Sequence, residues 1–364
     1  MHNINEPVYY GDYLELNKLL DSQHPKSKKI GNEAHDETLF IIVHQVYELW
    51  FKQILHELHS MKDVFDQKKI MESELSTVVH RLERIKKIQS ILIDQLDVME
   101  TMTPMDFLEF RDLLVPASGF QSVQFREIEI LMGLRTDQRK EVDREYFLGR
   151  LQKDDQDRLL EMEKTPSLIG LLEDWLERMP FTFTDEFDFW GEYQSTVDDM
   201  LCGDEITIQD NKATLSEKAL EMQLANLNGT RMTFATLFEE SIHNGLKEKG
   251  ERRLSQKATL NALFILLYRD EPILFLPFVI LENLMDIDEL FTTWRYRHAI
   301  MAHRMLGTKI GTGGSSGHKY LKSAAENNRV FMDLFNLSTF LIPRSKLPVL
   351  PAKLKEQMNF SYRG

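Results

Sequence analysis

Three positions set a chemically capable side chain within an apolar helical spacing. His44 lies four residues after Phe40 and three before Tyr47, so the three share one helix face. An imidazole there is either a core histidine hydrogen-bonded to a neighbour or a pocket group that accepts or moves a proton. Arg111 lies four residues after Phe107, and a guanidinium drawn into apolar surroundings needs an anion. Asp106, Glu109 and Asp112 offer a structural one; an acidic ligand is the other reading. His298 lies on a stripe with Trp294, Met301 and Met305. That oily setting suits an axial imidazole of a haem as well as a plain core histidine. His303, five residues on, points about 140° away, so both cannot bind one iron from the same helix.

Other patterns fail on their own spacing. The segment GTKIGTGGSSGHKY after Arg304 lacks the Gly-Lys-Ser/Thr ending of a phosphate cradle and the last glycine of a dinucleotide fingerprint, and it follows a helical pattern where both need a strand. His56-Glu57-Leu58-His59 is one residue short of the zinc-protease spacing. Glu240 and His243 have the Glu-x-x-His spacing of di-iron bundles, without the second copy such a site requires. Cys202 has no local motif, so a catalytic thiol is unsupported.

The elements that must position these residues read as long helices. Gly (17) and Pro (11) are scarce for 364 residues, whereas an all-β chain needs breakers at every turn. From Glu37 to Val64, the apolar residues Phe40, Val43, Tyr47, Phe51, Ile54 and Leu58 keep the three-to-four spacing of one stripe. Asp36 and Glu37 stand where the first-turn N–H groups want acceptors. A second periodic segment spans Glu72 to Met99, and Pro104 opens a third. Periodicity returns over Leu215–Glu248, and an apolar block covers Leu254–Leu290. The segment from Lys140 to Glu173 is more charged and reads as solvated helix and connection. The expected fold is all-α: one helical domain over 1–364, with 140–210 as a candidate small helical subdomain.

With 44 Lys and Arg against 58 Asp and Glu, the net charge is -14. Nucleic acid and anionic membranes are therefore not expected partners, since both need a basic field. A single cysteine excludes disulfides within the chain and suits a reducing compartment. The N-terminus shows no charged head followed by an apolar segment. The longest apolar run, Ile273–Leu281, is broken by Pro277 and is far short of the roughly 20 residues that span a bilayer. A cytoplasmic protein is expected.

Six blocks together carry a resemblance: YGDYLELNKLL (Tyr10–Leu20), HDETLFIIVHQVYELWFKQILHEL (His35–Leu58), FLEFRDLLVPASGFQSVQFREIE (Phe107–Glu129), WRYRHAIMAHRMLG (Trp294–Gly307), GTGGSSG (Gly311–Gly317) and FMDLFNLSTFLIPR (Phe331–Arg344). In content and order they resemble the tryptophan 2,3-dioxygenase family. The resemblance implies an all-helical, cytoplasmic homotetramer holding one haem b per subunit. Its reaction inserts both atoms of dioxygen across the pyrrole double bond of L-tryptophan to give N-formyl-L-kynurenine, the first step of the kynurenine pathway of tryptophan catabolism.

Matched position by position, the resemblance makes His298 the axial ligand of the haem iron and His44 the catalytic histidine on the opposite side. Phe40 and Phe107 fall in the indole pocket, Arg111 meets the substrate carboxylate, and Thr312 meets the charged groups of the amino acid. Ser118 lies near the haem. Tyr10, Tyr13 and Leu14 belong to an N-terminal segment, 1–34, that contacts a neighbouring subunit and completes its active site. The glycine-rich loop around Thr312 is expected to close over bound tryptophan. Two rivals differ in an observable. A related haem oxygenase would insert one oxygen atom into a modified tryptophan or tyrosine, and a haem sensor or helical interaction module would leave tryptophan unchanged.

Overall fold

The computed structural model describes residues 7–134, 149, 151–184, 187–307, 309, 321–322, 325 and 327–359. Three short helical turns, α1 (Tyr10–Tyr13), α2 (Leu16–Leu20) and α3 (Lys26–Lys29), lead into the long helices α4 (His35–Phe65) and α5 (Glu72–Met99). There follow α6 (Pro104–Arg111), α7 (Val123–Met132), α8 (Lys153–Met162) and α9 (Leu168–Glu177). A two-residue antiparallel ribbon, with Phe183 opposite Asp188, precedes α10 (Phe189–Asp210). The chain then runs through α11 (Glu217–Phe238), α12 (Glu240–Glu248), α13 (Gln256–Leu267), the 35-residue α14 (Pro272–Leu306), α15 (Met332–Asn336) and α16 (Ala352–Met358). The all-α expectation holds.

The stripe on α4 is buried as its spacing requires: Val43, Tyr47, Phe51, Ile54, Leu58, Met61 and Phe65 all face the core. The start of α4 differs from expectation. Its N-cap is Ala34, with no side-chain cap. Glu37, almost fully buried, instead accepts the backbone N–H groups of Lys26 at 2.7 Å and Ser27 at 2.8 Å. The carboxylate answers the first turn of α3 and pins the N-terminal segment onto α4. The bounds of α5 match the periodic segment. Pro104 does open α6, where Thr103 and Asp106 form a reciprocal cap: Thr103 N–H donates to Asp106 Oδ2 at 3.0 Å, and Asp106 N–H to Thr103 Oγ1 at 3.3 Å.

Pro277 does not interrupt α14. The helix begins at Pro272 and runs through the second proline, because Leu274, Ile280, Leu281, Leu284, Ile287 and Phe291 are all buried as α14 packs along α5. That packing outweighs one missing hydrogen bond. The periodic segment after Leu215 is in turn two helices, broken at Glu239 in extended backbone. The buried His243 imidazole then lies between the carbonyls of Thr236 at 3.3 Å and Leu254 at 3.0 Å. It is a structural histidine.

One large core joins side chains from α4, α5, α9, α10, α13 and α14, including Leu168–Leu176 and Phe187–Leu201. Leu151 and Leu159 pack with Ile130 in a small satellite. No helix among the described residues is long and apolar enough to cross a membrane. Gly133 ends α7 at φ +123, where a Cβ would approach Ile169 Cγ2 to 2.4 Å, so only glycine fits this exit.

The segment at Val330 and Phe331 is fastened by Asp288 of α14. Its buried carboxylate accepts the N–H groups of Val330, at 3.0 and 3.1 Å, and Phe331, at 3.1 Å. Burial pushes its pKa up despite those donors and the nearby Arg295 and Arg329. Asp288→Ala strands two buried donors and is expected to cost about 2–4 kcal/mol of stability, read as a lower urea midpoint with unchanged slope. Asp288→Asn, which keeps an acceptor, should cost less; equal losses would show that the carboxamide oxygen cannot replace these contacts.

Candidate functional site

Helices α4, α6, α7 and α14 line a cavity of about 290 Å³, roughly twenty times what one water needs. That is room enough for a ligand and far more than a packing defect. Phe40, His44, Phe107, Arg111, Ser118 and His298 all line it. Six of the positions singled out in the sequence, drawn from three helices and a turn, therefore meet in one place.

At one side, α4 and α6 build an aromatic seat. Phe40 stacks on Phe107 with ring centroids 5.8 Å apart, and Phe110 meets both edge-on at 5.6 and 5.5 Å. The His44 ring lies 4.1 Å from that of Phe40, and its Nδ1 lies 2.7 Å from the Phe40 carbonyl oxygen. A carbonyl can only accept, so Nδ1 carries the proton and the neutral ring keeps an acceptor at Nε2. Burial lowers the His44 pKa, against the Phe40 hydrogen bond and the Glu48 carboxylate, which raise it. Arg111 closes this side from the last residue of α6. Of the structural anions the sequence offered it, Asp106 is engaged by Thr103. Ser118 caps the turn Gly119–Gln121 by accepting the Phe120 N–H at 3.4 Å.

The other side belongs to α14. His298 stacks on Trp294, 5.4 Å between centroids at 22°, and Trp294 packs on Phe125 at 5.2 Å and edge-on to Phe51 at 6.4 Å. Burial, then the nearby His44 imidazole, pushes the His298 pKa down to about 4. Both histidines thus line one chamber, and in each the surroundings favour the neutral ring. Met99, Met301 and Met305 add thioether lining. His303 is exposed and stays off this wall, as its angular offset requires.

Of the discarded patterns, Glu57 is held by Arg81 at 3.2 Å and Arg84 at 2.8 Å, and no cluster of three or more metal-ligating side chains exists among the described residues. Thr312 and the GTGGSSG segment lie outside the described residues. Tyr10, Tyr13 and Leu14 do not line the cavity of their own chain; the two tyrosines are 70% and 75% exposed. Sequence reasoning missed Arg126, Glu129 and Arg295, which also line the chamber. The signal was present: Arg126 and Glu129 sit among Phe125, Ile128, Ile130, Leu131 and Met132 in VQFREIEILM of α7.

The family model described as tryptophan 2,3-dioxygenase matches residues 1–341. The chain belongs to the tryptophan 2,3-dioxygenase family. Among proteins of that name, the one from Bdellovibrio bacteriovorus is 51% identical over 98% of this chain and 99% of its own length. The one from Alteromonas mediterranea is 50% identical over 98% of both. That of Dictyostelium discoideum is 47% identical over 98% of this chain and 89% of its own. The tryptophan 2,3-dioxygenase match covers every described wall of the cavity.

Proposed function

We propose that this chain inserts both atoms of dioxygen across the pyrrole double bond of L-tryptophan, giving N-formyl-L-kynurenine, in the chamber between His44 and His298. The observation that carries this reading is the convergence of two neutral histidines and Arg111 on one aromatic cavity in a chain of this family.

The donor set fits a haem b. A flat, apolar macrocycle suits walls of Trp294, Phe51, Phe125 and methionines, and the unprotonated imidazole of His298 would hold its iron. Haem, when bound, supplies the iron at which dioxygen is activated. The protein's own part is placement. Arg111 offers a planar fork to the tryptophan carboxylate, and Phe40 and Phe107 receive the indole face. Nε2 of His44 accepts the indole N–H and fixes the ring's orientation. A lowered pKa makes this imidazole a weak base, so orientation, not proton abstraction, is its role. Thr312 meets the charged amino acid groups, and Ser118 borders the haem. Tyr10, Tyr13 and Leu14 complete the chamber of a neighbour in a cytoplasmic homotetramer. The exposure of Tyr10 and Tyr13 on a four-residue helix and of Leu14 at its C-cap, an element too short to stand alone, supports that assignment.

His44→Ala should keep haem and some turnover, with kcat/KM down by up to about a hundredfold. Because its pKa lies below 6.5, the neutral acceptor persists as pH falls through 6.5. The acid limb of wild-type kcat/KM should therefore begin below that pH and be absent in the alanine variant. An inflection above 6.5, or complete inactivity with normal tryptophan binding, would favour an obligatory base. The overall reading is tested by reducing the haem-loaded protein anaerobically and adding L-tryptophan and dioxygen. N-formylkynurenine absorbance is expected; unchanged tryptophan would refute it.

A further inference from the structure

Among the described residues three guanidiniums line the chamber: Arg111 on α6, Arg126 on α7 and Arg295 on α14. Arg111 belongs with the Phe40–Phe107 seat. The other two form a separate, nearly dry group, each 6% exposed, around Glu129 at 3%. Arg126 Nη1 donates to Glu129 Oε2 at 2.7 Å, and Arg295 Nη2 donates to Glu129 Oε1 at 2.9 Å. Arg295 Nη1 also donates to the carbonyl of cavity-lining Asn328 at 2.8 Å. Both guanidiniums lie over the Phe125 ring, at 5.7 and 5.8 Å, and Phe125 abuts Trp294, which stacks on His298. Arg295 precedes His298 by three residues, a neighbouring position on the same helix.

We propose that Arg126 and Arg295, braced by Glu129, are the seat of the two carboxylates of the porphyrin. This rests on the haem reading above and deepens it. A cofactor whose ring is apolar and whose edge carries two anions needs cations on the chamber wall, and this pair lies with the α14 wall that carries His298. A guanidinium held in place by a carboxylate loses little freedom on binding a second one. The chamber then sorts its anions: the amino acid carboxylate goes to Arg111 and the porphyrin carboxylates to the α7–α14 pair.

The test compares haem b with its dimethyl ester, in which both carboxylates are masked, each loaded into the full chain. Haem loss is followed by transfer to excess apomyoglobin. Esterification should speed loss from wild type by about tenfold or more. Arg126→Leu and Arg295→Leu should speed loss of haem b similarly, yet change loss of the ester by less than about twofold. Arg126→Lys and Arg295→Lys should recover part of the retention. Tryptophan affinity of Arg126→Leu should stay within about twofold of wild type. An ester penalty as large in the leucine variants as in wild type would overturn the proposal, as would no penalty in wild type. A loss of tryptophan affinity matching that of Arg111→Leu would also overturn it. Should the leucine variants fail to fold, the wild-type ester comparison and the lysine variants decide. Failure of the haem reading itself looks different: wild type would show no Soret band with haem b.

Discussion

His298→Ala is expected to purify without a Soret band and without tryptophan turnover, while keeping its helical content. The imidazole is the one neutral nitrogen ligand that α14 presents to the chamber, stacked on Trp294, and aromatic walls alone hold a porphyrin weakly. Added imidazole should partly restore the band by entering the space the ring vacates. A second consequence reports the burial of the ring itself. In the haem-free wild type, His298 is neutral down to about pH 4, whereas an unfolded histidine protonates near 6.5. Between these values the unfolded chain binds more protons, so stability falls as pH falls. His298→Ala should lose that part of the acid destabilisation. A variant that retains haem with a wild-type Soret band would remove His298 from the iron.

Arg111→Leu is expected to raise the tryptophan KM by about a hundredfold or more, the cost of leaving a buried carboxylate without its charge partner, with the Soret band intact. The decarboxylated analogue, tryptamine, sharpens the test. Wild type should discriminate strongly against it, because it lacks the carboxylate that the planar fork of Arg111 receives. The leucine variant should hardly discriminate. Arg111→Lys should recover only part of the loss, since an ammonium cannot reproduce the planar fork. An unchanged KM in Arg111→Leu would assign the substrate carboxylate elsewhere.

The fold was legible where helical periodicity governs burial. The α4 stripe and the bounds of α5 follow from three-to-four spacing, and Pro104 starts α6 as a first-turn proline does. The same periodicity marked His44 with Phe40 and His298 with Trp294 as members of apolar faces. It could not pair them, because nothing local relates residue 44 to residue 298; the family resemblance supplied that link, and the cavity supplies its geometry. Contacts distant in sequence stayed hidden for the same reason. Glu37 serves the turn at Lys26 and Ser27 instead of its own helix. Glu129 reaches Arg295 across 166 positions. Pro277 reads as a break in isolation, yet the packing of α14 along α5 overrides it.

The most direct test of the account is the fate of isotopically heavy dioxygen supplied to the ferrous, haem-loaded protein with L-tryptophan. The account predicts N-formylkynurenine carrying two heavy oxygen atoms in a single product. A product carrying one heavy atom, or tryptophan recovered unchanged, would contradict it.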